Sequence, residues 1–181
     1  MDEIRISQGI ARYTKSIERF ANTFVAKGDT GDAFTALQIQ SNGAKNGTSY
    51  SDSLNRTGFN TSAVTITGSP IWKNTVGDGF GGANTALYFD GGSELVYADS
   101  TDFEFPASTD FTIELWFNIS KYNTSVGGYL FSKWTDGGGA NREYAAYIVG
   151  TGTGIDFNAD EAGGVCDIDT TIPLNTWHHY V

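Results

Sequence analysis

Two kinds of side chain in this sequence carry types and spacings that chemistry can use: carboxylates two apart on extended chain, and aromatic rings not claimed by an apolar face. Glu114 lies in Asp110-Phe111-Thr112-Ile113-Glu114-Leu115-Trp116-Phe117-Asn118-Ile119, and Asp102 and Glu104 lie in Ser100-Thr101-Asp102-Phe103-Glu104-Phe105-Pro106. Glycoside hydrolysis with retention needs two carboxyl groups about 5 to 5.5 Å apart, a separation that residues i and i+2 of one strand supply. In the strand from Phe111 the outward face offers Glu114 as its one acid, flanked by Thr112 and Trp116. Asp102 and Glu104 have the spacing, but they sit in a loop segment ending in proline, where acids are expected to be solvated. The expectation is a protein that is not an enzyme. His178 and His179 are the two histidines of the chain. Adjacency on a strand sends them to opposite faces, so they do not ligate one metal together, and no nucleophile motif accompanies them.

Binding is better served than catalysis. Trp116 points away from the apolar face of its strand, where an indole either packs under a loop or offers the flat face on which sugars stack. Trp134, beside Lys133 and the Gly137–Gly139 loop, has the same standing, whereas Trp72 and Trp177 read as structural. Tyr122 and Tyr129 bracket a Gly127-Gly128 turn and are placed to rim the same end. With Glu114 and the loop amide of Asn141, these residues are the candidate ligand site. The one cofactor the sequence raises is calcium. Asp156, Asn158, Asp160 and Asp167 occupy positions 1, 3, 5 and 12 of an EF-hand-like count. Two features spoil that count: Glu161 stands where glycine is needed, and Ile155 and Phe157 alternate as a strand does. The favoured reading is a strand whose outward Asp156 and Asn158 lead into an acidic turn. Asp136, with Gly137 to Gly139 and Asn141, is a second loop of donors.

The elements that must hold these residues are strands. From Phe111 to Ile119 the sequence alternates strictly, with Phe111, Ile113, Leu115, Phe117 and Ile119 on one face and Thr112, Glu114, Trp116 and Asn118 on the other, which predicts a strand with one buried face. No helical period persists. The single helical candidate, Ser16 to Phe24, reads equally as linker.

The order of motifs carries a resemblance. Ala86-Leu87-Tyr88-Phe89-Asp90-Gly91-Gly92, then Asp110-Phe111-Thr112-Ile113-Glu114-Leu115-Trp116, then Leu130-Phe131-Ser132-Lys133-Trp134, and last Thr176-Trp177-His178-His179-Tyr180-Val181 together resemble the laminin-G-like, concanavalin A-like modules over roughly Phe34 to Val181. The resemblance implies an all-β fold, an antiparallel two-sheet jelly-roll β-sandwich. It leaves function open among lectins, glycosidases, receptors and structural modules. The Glu-x-Asp-x-x-Glu pattern of laminarinase-like relatives is missing, and relatives that bind calcium do so in rim loops.

Met1 to Thr14, Met-Asp-Glu-Ile-Arg-Ile-Ser-Gln-Gly-Ile-Ala-Arg-Tyr-Thr, resembles the closing strand of such a module, yet here it comes first. The favoured reading is a window on a tandem array: residues 1–30 are the closing strand and linker of a preceding module, and 31–181 a jelly-roll domain truncated at its carboxyl end. The alternative is that Asp2 to Ser7 fills the vacant edge of its own domain, as in a circular permutant.

Composition agrees with a β protein rich in turns and aromatic strands: 23 Gly, 3 Pro, 9 Tyr, 12 Phe and 4 Trp. A net charge of -10 with only 11 scattered basic residues argues against a nucleic-acid partner. No run of apolar residues is long enough for membrane insertion. Cys166, the single cysteine, excludes an intrachain disulfide and reads as a small buried strand residue. Asn-x-Ser/Thr sequons begin at Asn46, Asn55, Asn60, Asn118 and Asn123 and read as chance. The expected function is a non-catalytic binding or adhesion module of a larger extracellular or virion protein, such as a phage tail or fibre. Its expected partners are glycans and neighbouring modules. The alternatives are a ligand-free structural spacer and a glycoside-hydrolase-associated domain.

Overall fold

The computed structural model describes residues 2–10, 35–39, 65–69, 71–74, 85–97, 99–105, 108–123, 128–134, 142–159 and 164–181. The helical candidate at Ser16 to Phe24, the Asp136–Gly139 loop, Asn141 and Asp160 lie outside them, and so do the side chains of Trp72, Asp102 and Trp134. In chain order the strands are β1 (Asp2–Gln8), β2 (Thr35–Ile39), β3 (Thr65–Thr67), β4 (Ile71–Asn74), β5 (Thr85–Tyr88) and β6 (Glu94–Val96). After one 3-10 turn, Thr101–Phe103, come β7 (Phe111–Asn118), β8 (Gly128–Trp134), β9 (Arg142–Ile148), β10 (Ile155–Ala159), β11 (Gly164–Ile168) and β12 (Trp177–Tyr180). Among the described residues there is no α-helix, and every pairing with a described register is antiparallel. The fold is the all-β antiparallel class that the alternating pattern demands.

The chain forms two compact units, Met1–Phe117 with His179–Val181, and Asn118–His178. The first holds the sheet ordered β12-β7-β1-β2 and the two-stranded pairs β3-β6 and β4-β5. β1 lies between β7 and β2: Ile4 opposes Leu115 and Ile39, Arg5 opposes Glu114 and Gln38, and Ile6 opposes Ile113 and Leu37. Asp2–Gln8 thus lies inside a sheet of this chain, between β7 and β2. One face of this sheet is apolar core, with Ile6, Leu37, Ile39, Ile113, Leu115 and Phe117 all buried.

The β7 pattern needs a correction on its other face. Thr112, Glu114 and Trp116, expected to face outward, are buried as well. The alternation assigned the two faces correctly but not their solvent exposure. The second face is filled because β1 brings Arg5 and the fully buried Ser7 beside Glu114 and Thr112, and His179 stacks on Trp116.

The Phe89-Asp90-Gly91-Gly92 segment makes the turn between β5 and β6. The Asp90 carboxylate accepts the Gly92 N–H at 3.0 Å, and the Asp90 N–H donates to Ser93 Oγ at 3.2 Å. Gly91, at φ 92°, supplies the left-handed backbone such a turn needs.

The second unit is a four-stranded meander ordered β11-β10-β9-β8. Residues 149–154 make the β9–β10 turn, closed by the Val149 N–H to Gly154 carbonyl bond at 3.0 Å. Gly152, at φ 78°, lies so close to the Tyr122 ring that no side chain fits between them. The Tyr122 hydroxyl donates to the Ile172 carbonyl at 2.5 Å, and the Ile172 N–H returns to the Gly152 carbonyl at 2.9 Å. Tyr122 is therefore a fastening between loops. One face of the meander carries Phe131, Tyr144 and Phe157, whose rings meet at centroid distances of 6.4 Å.

Candidate functional site

The strand register assembles a site that the sequence named only in fragments. On the other face of the meander, Tyr129 of β8 opposes Tyr147 of β9, Tyr147 opposes Asp156 of β10, and Asp156 opposes Asp167 of β11. Directly opposed residues project to the same side of a sheet, so these four side chains form one row across all four strands. Asn158, two residues beyond Asp156, shares that face and donates from Nδ2 to the Tyr147 hydroxyl at 3.2 Å.

At one end of the row, Tyr129 is 55% exposed. Its ring meets that of Tyr147 at 5.5 Å and 54°, a tilted pair that fixes both planes. The Asn158 amide is the largest single influence on the Tyr147 phenol and lowers its pKa. Desolvation, with the hydrogen bond and charge of Asp156, outweighs it, and the phenol ends above its ordinary 10.0. It therefore stays protonated at neutral pH, accepting from Asn158. At the far end the Asp167 carboxyl is raised above its ordinary value, first by partial desolvation against the strand and then by Asp156 and Asp169, although it is exposed. On the same sheet Lys133 and Glu143 pair at 2.7 Å.

This row brings together Tyr129, Asp156, Asn158 and Asp167 from the predicted set. Tyr122 is engaged with Gly152 and Ile172 rather than rimming a site with Tyr129. Tyr147 was missed by sequence reading. Its signal lay in the period-two spacing of Glu143, Ala145 and Tyr147, but finding its partner required the β8–β9 register.

Asp156 and Asp167 face each other across paired strands instead of lining one loop, and Asp160 is outside the described residues. Among the described residues no group of three or more His, Cys, Asp or Glu is placed to hold a metal. Cys166 does lie in a strand, as expected, but it is exposed rather than buried, on β11, the last strand of its sheet among the described residues.

Glu114 and Trp116 belong to a different cluster, inside the first unit. Glu114, 0% exposed, is held by Arg5, whose Nε and Nη2 both contact its Oε1. Trp116, 6% exposed, stacks on the His179 ring at 4.7 Å and 23°. His179 Nε2 lies 3.9 Å from Glu114 Oε2. Burial, and then the Arg5 charge, lower the His179 pKa to about 4, so the ring is neutral at physiological pH. His178, on the opposite side of β12, contacts the Pro173 carbonyl through Nε2 at 3.1 Å. The two histidines have separate partners, as their adjacency requires. This cluster is a buried polar interior, and the Trp116 indole presents no open face for stacking.

Antiparallel sheets, short turns and an aromatic, hydrogen-bonding sheet face define a β-sandwich class of binding or structural modules. Residues 90–181, just over half of the chain, match the concanavalin A-like lectin/glucanases superfamily in its laminin-G form. The chain belongs to that family, a membership that suggests a carbohydrate-binding or structural module. No curated protein matches the chain closely enough to assign it a relative, and no solved structure does so either.

Proposed function

We propose that this chain is a non-catalytic carbohydrate-recognition module of a larger cell-surface or virion protein, and that it binds through the Tyr129–Tyr147–Asp156–Asp167 row. The observation that carries this reading is the pairing of an exposed, oriented tyrosine with fixed hydrogen-bonding groups on one sheet face. A sugar ring offers an apolar C–H face to an aromatic plane and hydroxyls to carboxylate and amide. Tyr129 supplies the plane, while Asn158, Asp156 and Asp167 supply acceptors and a donor. The face is open and shallow, so single-site binding is weak, and attachment to a surface would come from repeated modules acting together. Two observations support binding without hydrolysis: Glu114 is committed to Arg5, and the raised Asp167 is solvent-exposed rather than seated in an apolar pocket that would tune a general acid.

Glycan arrays and titration calorimetry test this. Tyr129→Ala is expected to weaken binding about fivefold, since stacking on one aromatic ring contributes about 1 kcal/mol beyond area burial, with an unchanged melting temperature. A chelator should leave binding intact, and no reducing ends should be released. The burial of Trp116, the residue best suited by sequence to stacking, favours a second reading, a structural spacer. Absence of any array hit for the native chain would select it.

A further inference from the structure

β1 is held in a slot that has the attributes of a peptide-binding site. Both of its edges are paired, to β2 and to β7. Ile4 and Ile6 enter the apolar face between Leu37, Ile39, Ile113 and Leu115. On the opposite side Arg5 meets a fully buried carboxylate, and Ser7 is fully buried. The segment just beyond is tied down as well: the Gly9 N–H donates to the Asp110 carbonyl at 2.6 Å, Thr112 Oγ1 donates to the Ile10 carbonyl at 3.1 Å, and Gln8 Nε2 donates to the Glu104 carbonyl at 2.6 Å. The slot therefore specifies its occupant by register, by an apolar pair two residues apart, and by a cation between them. An occupant lacking the cation strands Glu114 as a buried, uncompensated charge.

Covalently, β1 joins β2 through residues 9–34. A chain of that length spans up to about 85 Å when extended. The connection is thus long enough for the same strand to enter its own slot or that of another copy, and the same residue pairs form in either arrangement.

We infer that the slot between β2 and β7 is a strand-exchange site, which accepts Asp2–Gln8 of a second copy of this chain so that two protomers are joined by reciprocal swapping. The recognition is β-strand addition made specific by one buried charge pair.

Two charge-reversed full-length chains provide the test. Arg5→Glu places two acids in its own slot, and Glu114→Arg places two cations there. Only exchange between the two variants restores opposite charges in both slots. Size-exclusion chromatography with light scattering should show each variant alone without dimer, and an equimolar mixture should give a species of twice the monomer mass. A mixture that elutes as the two separate variants overturns the inference. If either variant does not fold, native chains decide the matter. Two native populations labelled at the exposed Cys166 with donor and acceptor dyes should develop energy transfer on mixing, and an excess of synthetic peptide spanning Asp2 to Ile10 should suppress it. No transfer, or transfer that the peptide leaves untouched, overturns it equally.

Discussion

Glu114 shows how a residue that reads as chemistry in sequence becomes architecture in the fold. Its neighbours Thr112 and Trp116 are polar or amphipathic, so alternation alone gave their side of the strand no reason to be buried. The reason is Arg5, which is over a hundred residues away and reaches Glu114 only through the β1–β7 register. Removing the cation should expose the dependence: Arg5→Ala is expected to cost about 3–5 kcal/mol in urea unfolding, because the acid is left buried and unpaired. Replacing the pair together, Arg5→Met with Glu114→Leu, should recover most of that loss. His179 makes a second residue-scale prediction. Its folded pKa, about 4, lies below the ordinary 6.5, so the fold favours the neutral ring. The stability this contributes is complete above about pH 6.5 and is lost as pH falls from there through about 4. His179→Phe should flatten that part of the stability-against-pH curve relative to the native chain.

Among the elements, the strands with local signatures were legible in sequence and those with distant partners were not. β7 follows from the alternation of Phe111 to Phe117, β12 from Trp177 to Tyr180, and the β5–β6 turn from Asp90-Gly91. The strand at Ile155 and Phe157 likewise prevailed over a calcium loop. What sequence could not supply was register, and register builds the candidate site: Tyr129 and Asp167 stand at opposite ends of a row that exists only once four strands have paired. It also explains Tyr122, which resembled a rim tyrosine until the 149–154 turn was placed against it. Gly152→Ala should accordingly lower stability by more than the roughly 1–2 kcal/mol of a left-handed backbone, because the new methyl meets the Tyr122 ring. Gly91→Ala, whose added carbon has nothing within 4 Å, should cost the backbone share alone. Parallel denaturant titrations separate the two.

At the scale of the whole molecule, the family match begins at Asp90, yet β1 and β2 of the central sheet lie before it. The portion with the recognisable pattern therefore relies on a strand outside it, one whose Ile-Arg-Ile-Ser sequence resembles the closing strand of such a module. The acidic balance, -10 over the chain, keeps copies apart at low ionic strength, and added salt should therefore promote any association between them. The position of β1 also has a temporal meaning. In ribosomal order it is made before both of its flanking partners, and one of them, β7, emerges roughly a hundred residues later. At about 5–20 residues per second the nascent chain carries an unmated Ile-Arg-Ile-Ser segment for several seconds. During that interval, on a crowded message, the nearest vacant slot can belong to the chain ahead.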